Sequence, residues 1–172
     1  MEIMKYNTKL NNDFIKNLIS NYNIEGLINC YCELQSIYLK EGGNTELHCD
    51  SYVLNLDCIE KQVGRKEKRG LGKTMDISFV ISESNINYIV LADFKLKTIE
   101  KPTLRGLTSD IEKKITHSSN YYNLDFEIFK NKYLIFRNKV VPVAKSKLNR
   151  SFLNRKHSLI PIDIMSFHSI FF

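Results

Sequence analysis

Two apolar segments joined by a short polar turn constrain the fold of this chain most strongly. Residues 76–82 (DISFVIS) and 88–97 (YIVLADFKLK) flank the polar stretch ESNIN, which is typical of a β-hairpin turn. Residues 88–92 are apolar without a break, so we expect this strand to be buried on both faces, in the middle of a sheet. A chain of 172 residues can bury enough surface to fold without a metal or a disulfide, and we expect one domain over 1–172.

The remaining elements are predicted from the spacing of apolar residues and from the position of glycines. The predicted helices cover 11–22, 24–41, 108–122 and 146–157, and the predicted strands cover 51–58, 76–82, 88–97 and either 132–137 or 139–144. This order predicts an α/β fold with a mixed central sheet flanked by helices.

Three ionisable residues at one end of the predicted hairpin form a candidate site. Asp76 opens the first strand, and Asp93 and Lys95 lie near the end of the second. In an antiparallel hairpin these two ends are neighbours, and residues two apart on a strand face the same side. Two converging carboxylates repel each other unless a divalent cation lies between them, and a lysine beside them can activate a water or stabilise a phosphate. The three residues therefore predict a site for a divalent cation.

The arrangement Asp76…Asp93-Phe94-Lys95 resembles the PD-(D/E)XK nuclease superfamily, which includes many restriction endonucleases and the archaeal Holliday-junction resolvases. The resemblance covers about residues 25–137 and implies a restriction-endonuclease-like fold. It further implies that Asp76, Asp93 and the Phe94 carbonyl bind magnesium, and that Lys95 assists the attacking water as the catalytic lysine.

The same family often adds a glutamate from a preceding helix. Residues 33–42 resemble the resolvase-type helix, which makes Glu33 the first candidate, and Glu25, Glu41 and Glu46 remain open. After the D-x-K strand the family usually has a helix whose polar residues face the site. By this resemblance Lys114, His117 and Tyr121 could fill that place, and they are predicted to contact nucleic acid.

Basic side chains are concentrated in two segments of a chain whose net charge is +6. Residues 61–73 carry six basic and one acidic side chain, and residues 145–157 carry five basic and no acidic ones. Such concentrated charge is expected of a surface that contacts phosphates. The first segment contains three glycines and is predicted to be a mobile loop leading into the candidate site. The residues predicted to contact nucleic acid in these segments are Arg65, Lys66, Lys68, Arg69, Lys73, Arg150, Arg155 and Lys156.

These features predict a divalent-metal-dependent nuclease that acts on DNA rather than RNA. The open alternative is a catalytically inactive binding protein of the same fold, such as an immunity, antitoxin-like or regulatory protein. The apolar C-terminal tail, residues 160–172, would then contact a protein partner or a second copy. The other interpretation of this apolar end, residues 159–172, is a last strand of the sheet.

The expected environment follows from what the sequence lacks. It has no run of 18 apolar residues and no secretory signal, so we expect no membrane partner and a cytoplasmic location. The four cysteines, Cys30, Cys32, Cys49 and Cys58, are accordingly expected to be reduced and buried.

Overall fold

The computed structural model describes residues 5–44, 47, 49–98, 102–122 and 126–172. The elements follow in the order β1 (Lys5–Tyr6), α1 (Thr8–Tyr22), a 3-10 helix (Glu25–Cys30), β2 (Tyr31–Glu33), α2 (Leu34–Lys40), β3 (Tyr52–Asn55), α3 (Leu56–Glu67), β4 (Ile77–Glu83), β5 (Ile86–Phe94), α4 (Leu104–Thr108), α5 (Ile111–Ser119), β6 (Glu127–Phe136), a second 3-10 helix (Asn138–Val140), α6 (Val141–Leu148), α7 (Phe152–His157), β7 (Leu159–Asp163) and α8 (Ile164–Phe171). None of the helices in these residues is long and apolar enough to cross a membrane.

Seven strands form a mixed sheet, as the sequence predicts. Their order is β2-β3-β4-β5-β6-β7, and β1 pairs with the far end of β4. Neighbours from β2 to β5 are antiparallel, whereas β5, β6 and β7 are parallel to one another. The predicted hairpin of β4 and β5 is confirmed. Its turn residues Ser84 and Asn85 both have positive φ angles, which a two-residue type I′ turn requires.

Helices cover both faces of the sheet, and each face has its own apolar cluster. The first cluster joins the sheet to α1, α3, α5 and α6, and the second joins it to α2 and α8. Alternate residues of β5 belong to different clusters: Leu91 packs in the first and Val90 in the second. The expectation that β5 is buried on both faces is therefore confirmed.

The first half of the predicted loop over 61–73 belongs to a helix, α3, which ends at Glu67. The strand expected over 51–58 ends at Asn55, whose side chain accepts a hydrogen bond from the Cys58 N–H at 2.9 Å and so caps α3. Ile59 and Val63 then fall on one buried face of α3 at helical spacing. The helix ends where Lys68 adopts a left-handed conformation with φ 53°.

The predicted helix over 24–41 is also wrong. The chain forms a 3-10 helix, then the short strand β2, and only then α2. Residues 31–33 pair with 52–54 of β3. This pairing lies about twenty residues away in sequence, so the local spacing of apolar residues gives no sign of it.

The C-terminal third differs from its prediction in two respects. The basic helix expected over 146–157 is split into the end of α6 and α7. Of the two alternatives for a further strand, 132–137 is confirmed as part of β6, whereas residues 139–144 are helical. The apolar tail folds as β7 and α8, and Phe167 and Phe171 are buried against Phe79 and Tyr133 of the sheet. The tail is therefore part of the core of the molecule, and the predicted partner surface is wrong for these large side chains.

Candidate active site

The β4–β5 hairpin brings Asp76 and Asp93 together. Ile77 pairs with Ala92, and the same register continued by one residue sets Asp76 opposite Asp93. The Asp76 N–H donates to the Ala92 carbonyl at 3.1 Å, and Asp76 Oδ2 accepts from the Phe94 N–H at 2.5 Å. Both carboxylates are buried, Asp93 completely.

Two lysines compensate the charge of Asp93. Lys114 of α5 donates to Asp93 Oδ1 at 2.5 Å, and its Nζ lies 4.0 Å from Asp76 Oδ1. Lys95 Nζ lies 2.8 Å from Asp93 Oδ2, although the contact lacks the directional geometry of a hydrogen bond. The structure thus brings together four residues that the sequence assigned to one site: Asp76, Asp93, Lys95 and Lys114.

Burial makes the ionised form of Asp76 costly. Burial, followed by the nearby Asp93 carboxylate, raises the pKa of Asp76 to about 8, although Lys114 acts in the opposite direction. For Lys114, burial lowers the pKa, but the Asp93 and Asp76 carboxylates outweigh it and the net shift is upward. The site therefore holds two carboxylates that repel each other and a lysine ammonium that both attract.

The oxygen donors of the two carboxylates fit a hard divalent cation. Mg²⁺ is usually bound by one or two carboxylates together with water. Among the described residues, Asp93 Oδ2 is one of two buried side-chain polar atoms with no hydrogen-bond partner. The described part of the chain holds no group of three or more His, Cys, Asp or Glu residues that could bind a metal, so Asp76 and Asp93 would act as a pair.

The Phe94 backbone lies beside Asp76, as the hairpin register requires, but the contact seen is made by its N–H group. The Phe94 side chain points into the second apolar cluster, where it packs against Tyr38. A metal-binding role for its carbonyl stays a prediction.

The structure does not bring Glu33 to the carboxylate pair. Glu33 ends the edge strand β2, is exposed, and accepts a hydrogen bond from the Tyr52 hydroxyl at 3.3 Å. Glu25 is exposed at the start of the first 3-10 helix, and Glu46 lies outside the described residues. Glu41, by contrast, lines a cleft of about 330 Å³ together with Asp76.

Asp57 is an acidic residue of this cleft that the sequence analysis missed. It lies in the first turn of α3, lines the cleft with Asp76, and accepts a hydrogen bond from the Thr74 hydroxyl at 2.5 Å. Its negative charge also contributes to the raised pKa of Asp76. The signal available in the sequence was Asn55, a capping residue that ends the strand and turns Asp57 onto a helix.

Cys58 follows Asp57 and forms a disulfide with Cys30 at the end of the first 3-10 helix. The expectation that these two cysteines are reduced is therefore wrong, because the fold brings two residues 28 positions apart into contact. Cys32 and Cys49 are free thiols. The cytoplasmic location stays a prediction, and this disulfide runs against the reducing environment that such a location implies.

A second polar cluster, centred on the buried Glu60, was also missed. The Glu60 carboxylate accepts hydrogen bonds from Arg69, from the Gly72 N–H at 2.6 Å, from His117 Nε2 at 2.8 Å and from the Tyr121 hydroxyl. Burial opposes ionisation, but these donors outweigh it and lower the pKa of Glu60 to about 2. A side chain at Gly72 would collide with the His117 ring.

Three residues predicted to contact nucleic acid belong to this cluster. Arg69, His117 and Tyr121 point to Glu60 and tie the segment after α3 to α5, so their polar groups serve the fold. A buried carboxylate with several donors is costly unless every partner is in place, which makes the cluster a rigid support beside the carboxylate pair.

The other basic residues predicted to contact nucleic acid divide into two groups. The side chains of the first group make contacts within the protein. Lys66 donates to two carbonyl oxygens at the C-terminal end of α1. Lys73 pairs with Asp110, and a similar surface pair joins Lys156 to Glu112. The second group is exposed and consists of Arg65, Lys68, Arg150 and Arg155.

No protein-family model, no curated protein and no solved structure matches this chain. The mixed α/β sheet is a finding of the structure, whereas the restriction-endonuclease-like fold and the nuclease activity stay predictions that depend on the residues described above.

Proposed function

We propose that this protein is a divalent-metal-dependent nuclease that hydrolyses phosphodiester bonds in DNA. The observation that carries the proposal is the burial of Asp76 and Asp93 side by side at the open end of the hairpin, away from its turn. Burying two like charges costs stability, and such sites are commonly kept for function.

Asp76 and Asp93 would hold the cation, with Mg²⁺ or Mn²⁺ suited to their oxygen donors. When bound, the cation would polarise the scissile phosphate and lower the pKa of a water molecule. Lys95 would orient that water by hydrogen bonding. Lys114, the second ammonium group at Asp93, would stabilise negative charge that develops on the phosphate oxygens.

The restriction-endonuclease-like fold is part of the same proposal. It is supported by the hairpin in which one acid precedes the first strand and the D-x-K triplet ends the second. It is further supported by α5, which follows this hairpin and directs Lys114 at the acids. DNA is proposed as the substrate because the resemblance is to DNA-cleaving enzymes.

Cleavage of labelled DNA and RNA in Mg²⁺ or Mn²⁺ tests this function. We expect the wild-type protein to cleave DNA, and Asp93→Asn and Lys95→Ala to lose about a hundredfold or more in rate. Asp13→Asn, an exposed acid on α1, is the matched control and should cleave normally. Full cleavage by Asp93→Asn would contradict the proposal.

One observation favours the alternative of an inactive binding protein. Both oxygens of Asp93 already face a lysine ammonium group, as in an ion-pair network that serves the fold alone. If the wild-type protein neither binds a divalent cation nor cleaves nucleic acid, this second function replaces the first.

A further inference from the structure

One wall of the cleft beside Asp76 is a face of α3 that the sequence did not reveal. Asp57, Lys61 and Arg65 lie on this face at intervals of four residues, and all three line the cleft. Residues at this spacing share one face of a helix. At 1.5 Å per residue, this face extends about 12 Å from Asp57 to Arg65.

The opposite wall is formed by the end of α2, where Lys40 and Glu41 line the same cleft. Asn55 and Asp76 lie between the two walls, at the end of the sheet where β3 stops and β4 begins. The cleft therefore leads directly to one member of the carboxylate pair.

Charge changes sign along α3. Its acidic end, Asp57, lies at the carboxylate pair, and its far end carries the exposed side chains of Lys61 and Arg65. Lys66 and Arg69, also basic, are held by α1 and Glu60 and do not line the cleft. Within the cleft, a polyanion that meets the acids through a cation would find two positive charges in line on this face of α3, whereas the end of α2 contributes Lys40 beside the acidic Glu41.

We propose that the nucleic-acid strand lies along this cleft face of α3, with Lys61 and Arg65 bound to the phosphates next to the one at Asp76. The position of the scissile phosphate rests on the proposed function, but the contacts of Lys61 and Arg65 do not. They require only that a phosphodiester backbone enters the cleft, and they should form without a metal.

Fluorescence anisotropy in EDTA tests the strand path separately from cleavage. The probe is a labelled DNA oligonucleotide, used as a single strand and as a duplex, and the tighter-binding form is carried forward. For Lys61→Ala/Arg65→Ala we expect affinity to fall about tenfold or more. The negative slope of log affinity against log salt concentration should become shallower by about 1.5 to 2.

The matched control is Lys9→Ala/Lys16→Ala, which removes two exposed charges from α1 outside the cleft. It should bind with nearly wild-type affinity and slope. Equal losses in both double variants, wild-type binding by Lys61→Ala/Arg65→Ala, or no binding of either probe by the wild-type protein would overturn the strand path. A failure of Asp93→Asn to impair cleavage would overturn only the proposed function.

Discussion

Lys114 reaches Asp93 across 21 positions of sequence, with its Nζ 2.5 Å from Asp93 Oδ1. The contact joins α5 to the end of β5 and places a positive charge where two carboxylates converge. A bound cation would share Asp93 with this lysine, so the ammonium group both stabilises the folded protein and limits how strongly the acids attract a metal.

The first prediction concerns Lys114→Met. Removing the ammonium group leaves the buried Asp93 with only Lys95 as a partner, and we expect a loss of about 2–4 kcal/mol in the free energy of unfolding. The double variant Asp93→Asn/Lys114→Met should recover part of this loss. Chemical denaturation of the two single variants and the double variant measures the coupling, and strictly additive losses would contradict the contact.

The second prediction is that Asp76→Asn stabilises the protein while abolishing activity. Two buried like charges cost stability, and an asparagine can still accept the Phe94 N–H. We expect the free energy of unfolding to rise by about 1–3 kcal/mol in EDTA at about pH 9, where Asp76 of the wild-type protein is ionised. Thermal denaturation beside Asp13→Asn checks this. A marked loss of stability would mean that Asp76 serves the fold.

The third prediction concerns acid stability. The pKa of Glu60 is about 2 in the folded protein and 4.5 in the unfolded chain. Ionised Glu60 therefore stabilises the protein fully above about pH 5. This contribution, about 3 kcal/mol, is lost as the pH falls towards 2. Glu60→Gln should therefore be less stable than wild type at neutral pH, and the difference should narrow in acid.

Urea denaturation at a series of pH values measures this difference. The exposed Glu25→Gln variant is the control and should follow the wild-type profile throughout. If the difference in free energy of unfolding between wild type and Glu60→Gln stays constant with pH, a lowered pKa for Glu60 is contradicted.

The fourth prediction concerns the disulfide between Cys30 and Cys58, which closes a loop across 28 positions of sequence. In Cys58→Ser the free energy of unfolding should fall by about 3–4 kcal/mol, because the unfolded chain regains the conformational freedom that the closed loop removes. Cys32→Ser should behave as wild type. A reducing agent should lower the melting temperature of wild type but not that of Cys58→Ser, and equal responses would show that the bond is absent in solution.

The hairpin and its acids were predictable because their signals are local. Alternation, an unbroken apolar run and a polar turn define β4 and β5, and the antiparallel register then sets Asp76 beside Asp93. Lys114 was assigned to the site by family resemblance rather than by any local pattern, and the structure brings it there.

The missed features depend on contacts between distant segments. The strand β2 exists because it pairs with β3, and its own residues have a helical pattern. Glu60 directly precedes the segment predicted to be a basic loop and attracted no interpretation, because its four partner residues lie 9 to 61 positions away in sequence. Asp57 was assigned to a strand because alternation continues past Asn55, the residue that caps α3.

The central claim is that Asp76 and Asp93 form one divalent-cation site, and calorimetric titration with Mn²⁺ tests it most directly. We predict that the wild-type protein binds Mn²⁺ and that Asp76→Ala/Asp93→Ala does not, whereas Asp13→Ala binds as wild type does. Equal binding by the double variant, or no binding by the folded wild-type protein, would contradict the claim.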